Sequence, residues 1–592
     1  LRSVNLGASV ARGEWLVLFN NDTEVTTGWL RSMLGCAESA DNVGVVTPKF
    51  LYPDGSLNEA GGIIWRDGTG VNYGRGDSPG DFQYEYRRET DYGSAAALMV
   101  RAELWREMGG FDERYLPMYY EDVDLCFEAR ERGLRVLYEP TAVVVHVEGA
   151  TAGVDTDSGH KRHQEENRPK FVSKWRHRLQ SEHLPPAPTN VRIAANRQRG
   201  AHVLVIDHCV PMWNHDAGSL RMLGIMRALL NLGARVTFMP DNLAPLQPYT
   251  RILQGMGIEV LYGQLDLNAE LATIGPRLTA AILSRPHPAS RWLDSVREFA
   301  PAARIAYDTV DLHWLREARR DALGTSSGGR TGSANGSLDL DSIPPKAKAL
   351  RELELAMVRA ADVTLVVSQS EAAQLAQDVP DAELLLVPTV HDVDPYVLPP
   401  EGRSGILFLG SFRHPPNIDA VLSLVKDVMP EVWSELREAR LTIVGSDPPA
   451  EVQALASPRV DVAGWIEDLR PLLDRSRLLV APLRYGAGLN GKITQCLASG
   501  LPVVTTPIGA EGIEELDRCT LVAEDPAELA AHVVRLYGDD VLWRELSRAG
   551  QDLVERHCSP TVISERVAQL LEGVGSSSAG APDSAVGSAG SS

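Results

Sequence analysis

The sequence has little cysteine, no long apolar run and no excess of positive charge, and each lack excludes something. Its six cysteines form no CxxC pair and no metal-finger spacing, which predicts reduced thiols in a cytoplasmic chain. No window approaches about 18 uninterrupted apolar residues, so neither a membrane span nor a signal peptide is expected. The net charge of -21 argues against nucleic acid as a partner.

Composition and rhythm indicate a multidomain α/β protein. Apolar residues make up 44% and charged residues 23% of the 592 residues, and this length predicts about three to five domains. Strand-like apolar runs alternate with helix-like stretches, which favours parallel sheets covered by helices. The run WLVLF at 15–19 is expected to be a strand covered on both faces.

The chain opens on Leu1 in what resembles the middle of a domain, so the first domain is expected to lack its beginning. The low-complexity stretch 324–341 is expected to be a mobile loop. The predicted segments are a partial domain at 1–180, a polar, proline-containing linker at 181–200, Rossmann-like domains at 201–400 and 401–572, and a disordered tail at 573–592.

Two groups of polar residues in the first domain suggest catalytic chemistry. Asn20 and Asp22 directly follow a strand, where a carboxylate can hold a hard divalent ion against a diphosphate, although a polar turn is the simpler explanation. Glu121 and Asp122 precede a helix, which acids favour on capping grounds alone. Crowding by acids and tyrosines nevertheless predicts a raised pKa, which suits a general base. His146 ends a strand and is either structural or part of a metal site.

This domain resembles the family 2 glycosyltransferases, which have the GT-A fold. The most specific match is GGFDERYLPMYYEDVDLCFEARERG at 109–133, supported by VGVVTPKFLYPDGSLNEAGG at 43–62. The resemblance implies that the strands binding the nucleobase precede Leu1, roughly a hundred residues in all. The domain as given is therefore expected to bind a nucleotide-sugar poorly or not at all.

The same resemblance assigns roles to single residues. It implies that Asp122 deprotonates the acceptor hydroxyl, with Glu121 beside it in the catalytic group. It implies that Asn20 and Asp22 belong to a variant of the DxD motif, which binds Mn²⁺ or Mg²⁺, and that His146 is a further metal ligand.

A glycine-rich turn follows a strand in the last third of the chain, within APLRYGAGLNGKITQCLASGLPVVTT at 481–506. Arg484 precedes Gly486 and Gly488, and Lys492 then opens a helix. Glycines let backbone amides approach a phosphate, and the amino end of a helix favours its negative charge. A tight turn beside an ordinary surface lysine is the alternative, and only the position after a Rossmann strand argues against it.

Residues 201–572 resemble the family 4 glycosyltransferases and their relatives, which have the GT-B fold. The pattern GAGLNGK…LASGLPVVTTPIGAEGI at 486–513 is the most specific part of the match. The resemblance implies no cofactor for this pair of domains. It places the acceptor side at Asp216, Gly218 and Arg221, within HDAGSLR, and the donor site at Gly410, Ser411, Arg484, Gly486, Gly488, Lys492 and Gln495.

Together the resemblances imply a glycosyltransferase of the hexosyltransferase type. It would move sugars from nucleotide-sugar donors to a growing cell-envelope polysaccharide such as O-antigen, or to a polyprenol-linked glycan. A lipid-linked acceptor would bring the otherwise cytoplasmic protein into peripheral contact with the inner membrane.

Two departures from the family patterns, the missing amino end and Gln495, keep other hypotheses in view. Gln495 stands where many family members carry a glutamate. Together the two departures leave open a non-catalytic glycan-binding or scaffold protein built from degenerate modules. A dehydrogenase is disfavoured, because no GxGxxG follows the first strand of either Rossmann-like domain. Trp465 either stacks on a nucleobase or belongs to the core, and the core is the default assignment.

Overall fold

The computed structural model describes residues 1–147, 162–325, 343–486, 491–512 and 514–572. Gly488 and the tail 573–592 lie outside these ranges. Of the loop predicted at 324–341, only Gly324 and Thr325 lie within the described ranges, and these two residues end a helix.

Helices and strands alternate along the described chain. The strands are β1 (Trp15–Phe19), β2 (Thr23–Val25), β3 (Val43–Leu51), β4 (Leu57–Glu59), β5 (Gly62–Ile64), β6 (Gly70–Asn72), β7 (Arg88–Glu89), β8 (Ala97–Arg101), β9 (Arg135–His146), β10 (His202–Asp207), β11 (Arg235–Pro240), β12 (Glu259–Val260), β13 (Ala280–Ser284), β14 (Arg304–Asp308), β15 (Val363–Val366), β16 (Leu384–Leu386), β17 (Ile406–Leu409), β18 (Leu441–Val444), β19 (Val460–Gly464), β20 (Leu478–Ala481), β21 (Val503–Thr505) and β22 (Leu521–Val522). The helices are α1 (Arg2–Val10), α2 (Trp29–Ala37), α3 (Ala102–Met108), α4 (Glu121–Glu131), α5 (Arg162–Glu182), α6 (Val191–Ala194), α7 (Ala217–Asn231), α8 (Tyr249–Gly255), α9 (Leu267–Ile274), α10 (Pro286–Phe299), α11 (His313–Thr325), α12 (Pro345–Ala360), α13 (Gln369–Asp378), α14 (Pro415–Ser423), α15 (Met429–Glu435), α16 (Ala450–Gln453), α17 (Arg470–Arg475), α18 (Gly491–Ala498), α19 (Pro507–Ala510), α20 (Pro526–Gly538), α21 (Asp540–Cys558) and α22 (Pro560–Glu572).

The chain divides into two compact units. Unit 1 comprises Leu1–Gly200 and Arg235–Ile274, and unit 2 comprises Ala201–Ala234 and Gly275–Ser592. The domain boundaries drawn from the sequence remain predictions, and each unit is described below by itself.

Unit 1 is built on a mixed sheet with the strand order β1-β8-β3-β9-β2. Strand β3 runs parallel to β9 but antiparallel to β8, and β1 is antiparallel to β8. Helix α2 buries Met33 and Cys36 on one face of the sheet. Helices α3, α4 and α5 cover the other face, where residues such as Trp105 and Phe127 join the core. The sheet is thus enclosed by helices, which is the α/β layering expected from the sequence.

Two details of this sheet differ from the prediction. Strand β1 is at one end of the strand order, and its Val17 and Phe19 are exposed, so the strand is not covered on both faces. Strand β1 runs antiparallel to β8, as β3 does, so β1 points in the same direction as β3 and β9. Strand β9 is continuous, whereas the apolar runs at 134–138 and 142–145 predict two separate strands, and its register on β3 shifts between Pro48 and Lys49.

The segment 181–200, predicted as a linker, packs within unit 1. It contains the short helix α6 and buries Ala194 and Ala195. Arg197 forms a salt bridge with Asp91, in which Nε lies 3.0 Å from Oδ1. These contacts explain why the segment is ordered despite its prolines.

Unit 2 contains two groups of parallel strands. One runs β10-β13-β14-β15-β16 and the other β19-β18-β17-β20-β21-β22, and every pairing described within them is parallel. In each group the apolar strands are buried, with helices between them in sequence. This is the pair of Rossmann-like sheets that the alternating pattern predicts.

Glycines follow the ends of two helices. Gly133 follows α4 with φ 75°, and Gly233 follows α7 with φ 79°. Both φ values lie in the left-handed region, which a residue without Cβ adopts at little cost, so the chain can turn back toward the next strand.

Candidate active sites

The polar residues predicted to be functional in unit 1 line one cleft. The cleft has a volume of about 1180 Å³. Its lining includes Asn20, Asp22, Glu121, Asp122 and His146, which lie up to 126 residues apart in sequence. The structure therefore brings together the predicted metal ligands and the predicted base.

Asp22 and His146 face each other across neighbouring strands. His146 pairs with Thr23 in the β2–β9 ladder, and its Nε2 lies 3.7 Å from Asp22 Oδ1. Asp22 Oδ1 is buried and accepts no hydrogen bond from the described residues. A buried carboxylate oxygen without a donor is costly unless a cation approaches it. The pair therefore fits one side of a divalent metal site.

The rest of such a site would come from a ligand. The described ranges contain no group of three His, Cys, Asp or Glu side chains that could hold a metal ion. Mg²⁺ is commonly held by one or two protein carboxylates together with substrate phosphates. Asn20 makes a turn, because its carbonyl accepts from Thr23 Oγ1 at 2.6 Å and its amide donates to Ala96 O at 2.9 Å.

Asp122 is held by backbone amides at the start of α4. Its Oδ1 accepts from the amide of Val123 at 2.9 Å and its Oδ2 from the amide of Ala95 at 3.1 Å. Burial raises the pKa of Asp122 in spite of these amides, which favour the ionised form. Burial, and then the neighbouring Asp122, raise the pKa of Glu121 to about 8. The pair has the shifted titration expected of a general base.

The backbone in front of this pair is strained. Tyr119 and Tyr120 have φ of 74° and 72°, which side chains other than glycine seldom adopt. Asn167 on α5 secures them, because its Nδ2 donates to the carbonyls of Tyr115, Met118 and Tyr119 at 2.8, 2.9 and 3.1 Å. Strain held in place by surrounding contacts is common beside catalytic groups.

Asp124 is a supporting residue of α4. Its side chain is almost fully buried and accepts hydrogen bonds from Tyr115 Oη, Trp175 Nε1 and Lys174 Nζ. Burial raises its pKa, and the Lys174 and Trp175 hydrogen bonds oppose that shift. Asp124 thus ties α4 to α5, and of the three acids in this segment only the first two line the cleft.

The sequence prediction missed two polar residues of the same cleft. Asn58 and Glu59 lie on β4, are almost fully buried and line the cleft. Glu59 Oε1 accepts from the amide of Ser94 at 3.2 Å. Two consecutive polar residues shortly before the Gly61-Gly62 pair are a signal that could have indicated them.

In unit 2 the amino ends of two helices meet. Helix α7 begins at Ala217, and a Cβ added to Gly491, the first residue of α18, would lie 2.8 Å from Ala217 Cβ. Gly218 is close to its surroundings as well, since an added Cβ would lie 2.9 Å from Val310. The amino end of a helix carries a partial positive charge, so the meeting point of these two ends suits an anion such as a diphosphate.

Basic side chains, the imidazole of His414 and the carboxylate of Asp216 lie around this point. Burial lowers the pKa of Lys492 to about 8, and Asp216 opposes that shift. Burial and then the charges of Lys492 and Arg316 lower the pKa of His414. Asp216 caps α7, because its Oδ1 accepts from the amide of Ser219 at 2.8 Å. Of the predicted residues, Asp216, Gly218 and Lys492 are therefore brought together.

Gly410 and Ser411 lie at the carboxyl end of β17, as predicted. The amide of Gly410 donates to Val444 O at 2.9 Å, and Ser411 Oγ lies 3.0 Å from Ser446 Oγ. A Cβ added to Gly445 would lie only 1.6 Å from Gly410 O, so the neighbouring strand ends require glycine. Carboxyl ends of parallel strands are where open α/β sheets bind ligands.

Three predicted donor residues have other partners or surroundings. The Nε of Arg484 donates to Asp419 Oδ2 at 2.8 Å, so its charge is already paired. The carbonyl of Gly486 accepts from Arg319 at 2.6 Å. Gln495 lines a cavity of about 560 Å³ whose lining does not include Lys492. Their roles in donor binding stay predictions.

Arg221, predicted on the acceptor side, is instead a core residue. It is 2% exposed, and its guanidinium donates to Asp308 Oδ1 at 2.6 Å and to Val387 O at 2.5 Å. The face of α7 that carries Arg221 packs on the sheet, so the side chain is not presented to an acceptor.

Trp465 was assigned to the core by default, but the structure places its side chain at the surface. It is 42% exposed. Its ring stacks on His215, with centroids 5.2 Å apart and planes 3° apart, and its Nε1 donates to Asn214 O at 3.3 Å. The indole therefore lies on the surface of unit 2.

Comparison with known proteins identifies a family for part of unit 2. Residues 403–539 match the family Glycosyl transferases group 1.

The described residues contain no helix long and apolar enough to cross a membrane.

The curated relatives match the N-terminal part of the chain. An uncharacterized protein of Sinorhizobium fredii is 32% identical over 164 residues, 27% of this chain and 18% of that protein. An O-antigen biosynthesis protein of Myxococcus xanthus is 32% identical, over 26% of this chain and 12% of that protein. An N-acetylglucosaminyl-diphospho-decaprenol L-rhamnosyltransferase of Mycobacterium tuberculosis is 29% identical, over 24% of this chain and 50% of that enzyme. The chain thus spans half or less of the length of these relatives.

Among solved structures, a glycosyltransferase from Rickettsia africae has 14% sequence identity and a TM-score of 0.47, over 64% of this chain and all of that one. The two groups of parallel strands confirm the predicted α/β class, and the family match supports a glycosyltransferase assignment for residues 403–539. The relatives of the N-terminal part include a rhamnosyltransferase and an O-antigen biosynthesis protein, which agrees with the resemblance of that part to glycosyltransferases.

Proposed function

We propose that the chain is a glycosyltransferase of the hexosyltransferase type, which moves sugars from nucleotide-sugar donors to a growing cell-surface polysaccharide or a polyprenol-linked glycan. Unit 2 binds a donor where α7 and α18 meet. Unit 1 activates an acceptor hydroxyl in its own cleft. No cofactor is proposed for unit 2.

One observation carries the proposal. Two helix amino ends meet at Gly491 and Ala217, beside the partly buried Lys492, in a module that matches Glycosyl transferases group 1. A diphosphate carries the charge that such a place stabilises, and the diphosphate is the leaving group of a nucleotide-sugar. Lys492 adds a full positive charge, which stabilises the negative charge that develops on that leaving group.

The chemistry proposed for unit 1 uses the residues of its cleft. Asp122 accepts the proton of the acceptor hydroxyl as the new glycosidic bond forms, and the amides of Ala95 and Val123 keep the carboxylate oriented. Asp22 and His146 would hold Mn²⁺ or Mg²⁺, whose charge neutralises the diphosphate of the donor. The orphaned Asp22 Oδ1 supports this assignment.

We infer a cytoplasmic reaction with peripheral contact to the inner membrane. All six cysteines are free thiols, which suits a reducing compartment. Nucleotide-sugar donors would then be on the same side as the chain, and a polyprenol-linked acceptor would bring it to the membrane surface. The rhamnosyltransferase relative, whose name includes a decaprenol diphosphate, supports an acceptor of that class.

The alternative of a non-catalytic scaffold has no support from the family match or from the relatives. Gln495, which prompted it, lies in a cavity of its own. Its substitution therefore carries little weight against activity at Lys492.

The test is release of nucleoside diphosphate from a panel of nucleotide-sugars by the purified chain. We expect one donor to be turned over, and Lys492→Ala to reduce that turnover at least tenfold, the loss expected for a charge-assisted contact. Lys426→Ala, which removes another lysine from unit 2, is the matched control. Equal turnover by the two variants, or none by the parent chain with any donor, would contradict the proposal.

A further inference from the structure

A single arginine on α11 bridges the two groups of parallel strands in unit 2. Arg319 follows β14 of the first group, and its guanidinium reaches two segments of the second group. Its Nη1 donates to the carbonyl of Gly486 at 2.6 Å and to Glu511 Oε2 at 2.6 Å, and its Nη2 donates to Glu511 Oε1 at 3.0 Å. A bidentate, charge-assisted contact of this kind is stronger and more specific in geometry than a neutral hydrogen bond.

Both partners of Arg319 lie beside the proposed donor site. Gly486 follows β20 and begins the glycine-rich turn, and Glu511 follows β21 and the short helix α19. The regions beyond the carboxyl ends of parallel strands are where open α/β sheets bind ligands. The side chains of Arg319 and Glu511 are 19% and 22% exposed, so salt screens this ion pair less than one on the open surface.

The same face of α11 extends to the surroundings of Lys492. Arg316 lies three residues before Arg319, so the two side chains are neighbours on the helix surface. Burial, then the charge of Lys492 and then that of Arg316 lower the pKa of His414, which shows that these three side chains lie near one another. Helix α11 therefore faces the second strand group along the region of the donor site.

The course of the chain explains why such a bridge matters. The chain passes from the first strand group to the second between β16 and β17, and it returns to the first group at α22, which packs against α7. The two crossings are adjacent, because the amide of His391 donates to Cys558 O at 2.9 Å. Adjacent crossings form a hinge, so the angle between the two groups depends on non-covalent contacts.

We propose that Arg319 is a positioning residue of the donor site. By clamping Gly486 and Glu511 onto α11, it sets the spacing of the two helix amino ends that meet at Ala217 and Gly491. Without the clamp the two strand groups turn about the hinge, and a diphosphate contacts the two amino ends together less often. The role in donor binding rests on the function proposed above, whereas the clamp itself is a property of the chain without a ligand.

The first test measures the spacing of the two strand groups without a ligand. Spin labels are attached at Asp294→Cys in the first group and Lys426→Cys in the second, both at exposed positions. The background is Cys209→Ser, because the other five cysteines are buried. Double electron–electron resonance then gives the distribution of label distances. Arg319→Ala should roughly double the width of that distribution, because the hinge then samples more angles.

Two further variants identify the contact responsible. Glu511→Gln should broaden the distribution as Arg319→Ala does, and the double variant should add nothing, because both changes remove one contact. Arg297→Ala is the matched control, since Arg297 makes a bidentate pair with Asp362 inside the first group, and it should leave the width unchanged. An unchanged width in Arg319→Ala, or equal broadening in Arg297→Ala, would overturn the proposal.

The second test measures the binding of uridine, guanosine, adenosine and thymidine diphosphates to the whole chain by calorimetry. Arg319→Ala should weaken the binding of the preferred diphosphate about fivefold, because the arrangement that binds it is populated less. Arg297→Ala should bind it as the parent chain does. Unchanged affinity in Arg319→Ala would overturn the positioning role. Failure of the parent chain to bind any of the four would contradict the proposed donor site instead, and the distance measurement would still decide whether the clamp exists.

Discussion

Raising the pH should weaken donor binding to unit 2, because Lys492 loses its charge just above neutral pH. Burial lowers the pKa of Lys492 to about 8 although Asp216 favours the charged form. Such a group is about nine-tenths protonated at pH 7 and about one-tenth protonated at pH 9. If only the ammonium contacts the diphosphate, the dissociation constant rises about tenfold between these pH values.

Few other groups near Lys492 change charge in this window. The phosphates of the nucleotide are ionised above about pH 7. Burial and the charge of Lys492 lower the pKa of His414, so that imidazole is neutral throughout. Burial raises the pKa of Cys496, so that thiol keeps its proton. His208, with a pKa of about 9, titrates at the upper limit, and His208→Gln serves as the control.

The assay is calorimetric titration of nucleoside diphosphates into the whole chain at pH 7, 8 and 9. Lys492→Ala should weaken binding at pH 7 by about 1–3 kcal/mol and make the affinity independent of pH. His208→Gln should retain the dependence of the parent chain. The assignment of Lys492 would be refuted by a flat pH profile in the parent chain, or by a tenfold slope that survives in Lys492→Ala.

Three further predictions concern the other residues. Asp122→Asn should abolish transfer by unit 1 in the whole protein without loss of structure, and transfer should increase with pH, because the base must be ionised and burial raises the pKa of Asp122. Kinetics and circular dichroism measure both, and persistent transfer would exclude Asp122. Asp22→Asn should weaken Mn²⁺ binding in the presence of nucleoside diphosphate at least tenfold, measured by electron paramagnetic resonance, and unchanged binding would place the metal elsewhere. Arg221→Met should destabilise unit 2 by about 3–5 kcal/mol in hydrogen exchange, because it leaves the buried Asp308 unpaired, whereas a change confined to acceptor affinity would restore Arg221 to the site.

Local patterns determine much of the fold and could be read from the sequence. The strands β17, β20 and β21 lie where short apolar runs predict them, because fully buried parallel strands need little besides continuous apolar residues. Gly133 and Gly233 mark helix ends through a conformational preference that is local as well. The convergence of Asp22, Asp122 and His146 on one cleft could be expected only through the family resemblance.

Features that depend on distant partners could not be predicted in this way. Arg221 is buried because Asp308, 87 residues away, accepts its hydrogen bond, and nothing near Arg221 in sequence indicates this. Arg484 pairs with Asp419 for a similar reason. The exposed face of β1 depends on which strands flank it, and a five-residue apolar run does not reveal whether it lies inside a sheet or at its end.

The central claim is that this chain transfers a sugar from a nucleotide-activated donor. Its most direct test is to incubate the chain with isotopically labelled nucleotide-sugars and a bacterial lipid-linked glycan fraction, and to analyse the products by mass spectrometry. We expect a labelled glycan lengthened by one sugar. The parent chain and Lys426→Ala should form it at similar rates, and Lys492→Ala at least tenfold more slowly. Absence of any labelled product with every donor, or equal product from Lys492→Ala, would contradict it.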